Sequence, residues 1–457
     1  MNSIQNAKPL ILSLAVLFFF ACDRQSVPVP VATRDTVIHP QWSHNLAIYE
    51  VNIRQYSEAG TFAEFEKHLP RLKELGVGIL WLMPIQPIGE LNRKGALGSY
   101  YSIKDYLAVN PELGTLADFK ALVKKIHELG MYVIIDWVAN HSAWDNPLTA
   151  EHPEWYTRDS TGNFVPPVAD WSDVIDFNYD NPELRQYMID ALAYWVRETG
   201  IDGFRCDVAG MVPTDFWDAA RPELDKIKAV FMLAEWEDPD LHQRAFDMTY
   251  SWEVFRAMNA IAAGKKTVAA LDSLLNAEAQ LYPPDAYRMR FTSNHDENSW
   301  NGTEFERLGD GAVAFAVLTA TIPGMPLIYS GQEAGLNKRL QFFEKDPIEW
   351  RDHPFAGIYA TLLHLKSENK ALWNGVAGGP LVRVPNSQDK AVFSFVREHE
   401  HDKIFVAVNL SNLEQDVLFS GSDFAGEYNE LFSKTRATIA SDESMKLKPW
   451  EYRLYVK

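Results

Sequence analysis

The feature that most limits what this chain can fold into is a repeated unit, an amphipathic helix that stops at a glycine and runs at once into an apolar strand. Phe62, Phe65, Leu69, Leu72 and Leu75 fall at helical spacing, Gly76 ends the helix, and Val77–Met83 follows as a strand. Leu116, Phe119, Leu122, Val123, Ile126 and Leu129 repeat the pattern before Gly130 and the strand Met131–Val138. Leu184, Tyr187, Met188, Ala191, Leu192, Trp195 and Val196 repeat it again before Gly200 and Ile201–Val208. Glycine supplies the left-handed residue that closes a helix. Strands that are apolar almost throughout belong to a parallel sheet covered on both faces. Such alternation builds either an open doubly wound sheet or a closed barrel. No G-x-G-x-x-G follows the first strand, so the dinucleotide-binding signature of the open sheet is missing. Further strands expected at Ala47–Ile53, Val230–Ala234, Ala245–Met248, Arg288–Ser293 and Pro326–Tyr329 bring the total to that of a (β/α)8 barrel.

A chain of 457 residues, 47% hydrophobic, has room for a large domain and a small one. Beyond residue 375 the pattern alternates over Ala391–Arg397, Lys403–Leu410 and Tyr452–Val456, as in antiparallel strands. The barrel is therefore expected over 41–374 and a C-terminal β-sandwich over 375–457. Trp373 and Trp450 in that region are read as packing against the barrel in preference to binding a ligand. A longer segment after the third strand, about 141–178, forms a short insert carrying Trp144, Trp155, Tyr156, Phe164 and Trp171. At least half of these rings are expected to pack the insert together.

At the N-terminus the apolar run Leu10–Phe20 has the length of a signal peptide, not of a membrane span. It ends at Phe20-Ala21-Cys22-Asp23, which resembles a bacterial lipoprotein cleavage site with Cys22 as the lipidated residue. The expectation is a signal peptide over 1–22, a tether over 23–40, and an exported protein held to the cell envelope by its lipid alone. With Cys22 acylated, the other cysteine, Cys206, has no disulfide partner within the chain. The net charge of −19 and the lack of basic runs argue against a nucleic-acid partner.

Functional side chains of such a barrel project from the C-terminal ends of its strands. Acids fall at those ends here: Asp136 with Asn140 and His141 after the third strand, Arg205 and Asp207 in the fourth, Glu235 after the fifth, and His295 and Asp296 after the seventh. One acid at a strand tip is unremarkable, because a tip is solvated and often caps the next helix. Several converging on one barrel mouth, with two histidines and an arginine, suit glycosidic bond cleavage. That reaction needs one carboxylate at the anomeric carbon and one carboxylic acid at the leaving oxygen. Arg205 keeps a neighbouring acid ionised, and a less polar setting such as that beside Trp236 raises a glutamate into the acid's range.

The segments Asp136–His141 (DWVANH), Gly203–Asp207 (GFRCD), Met232–Trp236 (MLAEW) and Ser293–Glu297 (SNHDE) resemble, in order, the four signatures of the alpha-amylase family. The resemblance implies that Asp207 is the nucleophile, Glu235 the general acid and base, and Asp296 the third carboxylate, which holds sugar hydroxyls. It further implies that Arg205 orients Asp207, that His141 and His295 bond the sugar beside the cleaved bond, and that Tyr101 stacks under it, with Tyr100 as the alternative. Asp136 is read as supporting the site. The substrate implied is a starch-like α-glucan or maltooligosaccharide. A transglycosidase or isomerase on the same scaffold uses the same acids, and a non-catalytic glucan-binding accessory protein would have lost some of them. Two departures bear on metal. Met211 stands where the family often has histidine, and no Asp-rich loop occurs near 89–98. No cofactor is expected to be required. A weak calcium site at Asn140 and Asp176 stays open, both being read otherwise as anchors between barrel and insert.

Overall fold

The computed structural model describes residues 37–457. Cys22, the signal segment and most of the tether lie outside the described residues. Residues 37–40, read above as the end of the tether, are packed: Val37 is buried and His39 Nδ1 lies 2.8 Å from the buried Asp247 carboxylate. Among the described residues no helix is long and apolar enough to cross a membrane.

Eight parallel strands close a barrel: β1 (Ile48–Val51), β2 (Ile79–Leu82), β3 (Tyr132–Trp137), β6 (Gly203–Cys206), β7 (Phe231–Ala234), β8 (Met248–Tyr250), β9 (Tyr287–Arg290) and β10 (Met325–Tyr329). Two further strands, β4 (His141–Ala143) and β5 (Val174–Asp176), form the hairpin that roots the insert after β3. Around the barrel the order is β1, β10, β9, β8, β7, β6, β3, β2. The sixth strand of the barrel, β8, starts at Met248, where Ala245–Met248 was expected. Asp247 just before it is fully buried and spends its carboxylate on Arg221, His39 and the Met232 N–H, so it ties the strand base instead of extending the apolar run.

The period-two alternation of the strands sorts side chains between the barrel interior and the surrounding helices. Ile48, Ile79, Trp81, Ile134, Phe231 and Leu233 share the interior cluster, while Leu80, Leu82, Val133, Ile135, Phe204 and Cys206 pack outward on the helices. Gly203 is required at the β6–β7 contact, since a Cβ there would lie 1.9 Å from the Phe231 carbonyl oxygen. The helices start and stop where local chemistry dictates. Thr115 and Asp118 form a capping box at the head of Leu116–Glu128, and Asn181 caps Pro182–Thr199, which ends at left-handed Gly200.

The C-terminal region is an unequal sandwich. One sheet has the order β11 (Leu381–Arg383), β12 (Val392–His399), β13 (Asp402–Asn409), β18 (Tyr452–Val456), β15 (Gly426–Glu430), β16 (Arg436–Ile439). The other is the ribbon of β14 (Gln415–Leu418) and β17 (Ser444–Leu447). Phe393, Phe395, Ile404 and Val406 face the barrel helix Ala312–Thr321, while Val392, Phe405, Val417 and Leu447 fill the space between the two sheets. Trp450 packs on Phe315 and Gly311 of the barrel, as its packing role required.

Candidate active site

The alternation that fills the barrel also builds the site. Two residues on from inward Ile48 is Glu50, two on from Ile134 is Asp136, two on from Gly203 is Arg205 and then Asp207, and two on from Leu233 is Glu235. Each therefore points to the barrel axis at its C-terminal mouth, where a cavity of about 540 Å3 is lined by Tyr101, His141, Asp207, Glu235, His295 and Asp296 among others.

Arg205 is the hub and is fully buried. Its Nη1 donates to Asp136 Oδ1 and to Asp207 Oδ1, both at 2.9 Å. Nη2 lies 2.9 Å from Glu235 Oε2 but without hydrogen-bond alignment, so that contact is Coulombic. The Trp81 indole backs the guanidinium at 5.0 Å and donates Nε1–H to Asp136 Oδ2 at 3.1 Å. Asp136 thus touches Arg205, Trp81 and the Tyr101 hydroxyl, which gives it a supporting position behind the cavity.

Tyr101 lines the cavity, its hydroxyl 2.8 Å from His295 Nε2 and its ring 24° from parallel to that imidazole. Tyr100 points away, beneath the Arg54 guanidinium at 4.0 Å, and does not line the cavity. The second face of His295 is held by Glu50, through Nδ1 and Oε1. Glu50 was not singled out from sequence. Its signal was there, an acid in the middle of the otherwise apolar strand Ile48–Val51.

Burial and a shortage of positive charge set the protonation states. Burial pushes Glu235 up, Arg205 pulls it back, and Asp207 and Asp296 raise it again, to about 7. Asp207 is raised by burial against the pull of Arg205, to about 6. Burial works against a charge on His295, but Asp296 and Glu50 outweigh it and lift the imidazole to about 9. His141, buried with no such partner, falls to about 3 and is neutral. Around Arg205 and His295, the carboxyl groups of Glu50, Asp136, Asp207, Glu235 and Asp296 outnumber these cations. Such a site favours positive charge developing in its centre.

Of the insert's rings, Trp171 lines the cavity, 5.5 Å from His141, while Trp155 and Tyr156 are buried within the insert. Lys94, Trp300, Phe342 and Phe343 also line it and were not anticipated, because distant loops bring them there. Asn140 and Asp176 meet at the insert's root: Asp176 pairs with His141 across β4 and β5, and the Phe177 N–H donates to the Asn140 carbonyl at 3.1 Å. Burial raises the Asp176 carboxyl, opposed by a hydrogen bond from Thr157. Met211 is exposed and does not line the cavity.

A family model described as alpha-amylase, catalytic domain, matches residues 47–171 and 150–355. The chain is 28% identical over 90% of its length to the alpha-amylase MalA of Haloarcula japonica and spans 63% of that relative. Among solved structures, a noncanonic maltogenic alpha-amylase AmyB from Thermotoga neapolitana superposes with a TM-score of 0.83 at 34% identity, over 90% of this chain and 98% of that one. An alpha-amylase from Lactobacillus plantarum does so with a TM-score of 0.82 at 35% identity, over 91% and 99%. With its barrel, its cluster of acids and these relatives, the chain belongs to the alpha-amylase family of glycoside hydrolases, enzymes that act on α-glucans.

Proposed function

We propose that this enzyme hydrolyses α-glucosidic bonds of starch-like glucans or maltooligosaccharides by double displacement. The carboxylate of Asp207 attacks the anomeric carbon while the protonated Glu235 gives its proton to the departing glycosidic oxygen. The bond to that oxygen breaks and a glycosyl ester on Asp207 forms. Glu235, now a carboxylate, takes a proton from water, whose oxygen displaces Asp207 and restores the α configuration. Asp296 and His295 hold the sugar's hydroxyls, neutral His141 exchanges hydrogen bonds with it, and Tyr101 supports its ring. The observation that carries this reading is the split between Asp207 and Glu235. They share one guanidinium, but Arg205 donates a hydrogen bond to Asp207 at 2.9 Å and meets Glu235 without one, so Asp207 is the acid stabilised as a carboxylate and Glu235 the one left to carry the proton.

A transferase on the same acids would differ only in the second step, with a sugar hydroxyl in place of water. Incubation with soluble starch, pullulan, dextran and a defined maltooligosaccharide, followed by product analysis, tests both: hydrolysis yields only shorter chains, transfer yields longer ones as well. No release of sugar from any of them would refute the assignment.

Catalysis in this account needs no calcium. Asn140 and Asp176 offer one carboxylate, and the exposed Met211 offers a soft thioether, where calcium wants six to eight oxygens. Among the described residues, the group of acids and histidines close enough to share an ion is His152, Glu154 and Glu183, which does not include Asp176. Anchoring to an envelope membrane through Cys22 belongs to the same proposal. Cys22→Ser should move the protein into the soluble fraction.

A further inference from the structure

The loop after β2 spans the mouth of the cavity and is tied down at both ends. On the insert side, the Glu90 N–H donates to the Asp145 carboxylate at 3.0 and 3.2 Å, and Lys104 pairs with both acids at 2.9 and 3.2 Å. Further along, Lys94 donates to the Asp170 carbonyl and lies 3.2 Å from the buried Asp173 carboxylate. On the far side, the Ala96 N–H donates to Glu344 Oε1 at 2.8 Å and the Leu97 N–H to the Phe343 carbonyl at 3.1 Å. Gly95, at φ +65°, lies so close to the loop after β10 that a Cβ would sit 2.4 Å from Phe343 Cβ. The span therefore runs from the insert, above β3, to the loop above β10, and so crosses the sector of β1 and β2.

Glu235 directly follows β7, the strand opposite β1 in the barrel order. Next to it in sequence, Trp236 is 39% exposed. A general acid must stand beside the leaving oxygen. The departing part of the chain therefore runs out over the Glu235 rim, and the glycosyl part held by Asp207 points at the span. The glycosyl part is the one that carries the non-reducing end.

We infer that the cavity is a blind pocket for the non-reducing end of an α-glucan, so that the enzyme works from chain ends and releases short α-configured products. This rests on the assignment of Asp207 and Glu235 proposed above. Without a closed end, a chain could lie through the cleft and be cut anywhere along its length.

The test uses the mature protein and two probes, p-nitrophenyl maltoheptaoside and the same compound with an ethylidene acetal on its terminal non-reducing glucose. Products are separated by chromatography. Cleavage of the free compound, with the blocked one slower by about 100-fold or more, is the expected result, since a closed pocket cannot seat the added group. Equal rates on the two compounds would overturn the blind pocket while leaving the hydrolytic assignment standing. Failure to cleave either probe, together with no activity on starch, would overturn both.

Discussion

The backbone N–H of Val208 donates to Glu235 Oε2 at 2.9 Å, and Val208 makes this contact from a left-handed conformation, φ 36° and ψ 46°. Val208 follows Asp207 directly, so one tight turn sets the spacing between the two carboxyl groups assigned to the chemistry. A β-branched residue pays about 1–3 kcal/mol for that conformation.

Val208→Gly relieves this strain, and the greater freedom of glycine in the unfolded chain offsets about 0.4–1 kcal/mol of the gain. The variant should be as stable as the parent or up to ~2 kcal/mol more stable. Its kcat should fall, because the turn no longer fixes the Glu235 contact. Thermal unfolding and steady-state kinetics check the two together; a clear loss of stability would contradict the strain.

The pH profile follows from the two raised carboxyls. Activity requires Asp207 ionised and Glu235 protonated. Acidification through about 6 silences the nucleophile, and a rise through about 7 strips the acid of its proton. A plot of kcat/KM against pH should be a narrow bell between those values, its limbs belonging to the coupled pair. A plateau that persists into alkaline solution would contradict the environment described for Glu235.

Asp207→Asn should lower turnover by ~10⁴-fold or more while the fold is kept. Stability should move the other way. Burial raises Asp207 in the folded state, so the native protein holds this proton more tightly than the unfolded chain does. The ionised form is then a cost above about 6 that fades toward the unfolded value near ~4. The variant should melt higher than the parent in mildly alkaline solution, and the difference should shrink on acidification. Melting curves across pH check the sign.

Arg205→Leu removes the cation shared by Asp136, Asp207 and Glu235 and leaves buried acids facing one another. The expected loss is about 3–5 kcal/mol. Arg205→Lys keeps the charge but cannot reach all three acids, so it should be more stable than the leucine variant and still poorly active. Denaturant unfolding of both variants checks the order.

The barrel was legible because its strands are short apolar runs placed directly after helix-ending glycines such as Gly76, Gly130 and Gly200. The strand-tip acids were legible because a period-two strand fixes which side chains face the axis. Glu50 obeys the same parity, but no neighbouring motif marks it. The span from Glu90 to Gly98 was not legible at all. Its meaning lies in contacts with Asp145, Asp170, Phe343 and Glu344, residues tens to hundreds of positions away, and nothing local marks them. Val208 reads as a plain strand residue until the turn between Asp207 and the 3₁₀ segment Ala209–Met211 forces it to positive φ.

The measurement closest to the central claim follows the anomeric proton of the first product by NMR, before mutarotation blurs it. Double displacement through Asp207 predicts that the newly formed reducing end appears in the α configuration and equilibrates to β only later. A product that first appears as β would mean a single displacement by water, and the roles given to Asp207 and Glu235 would be wrong.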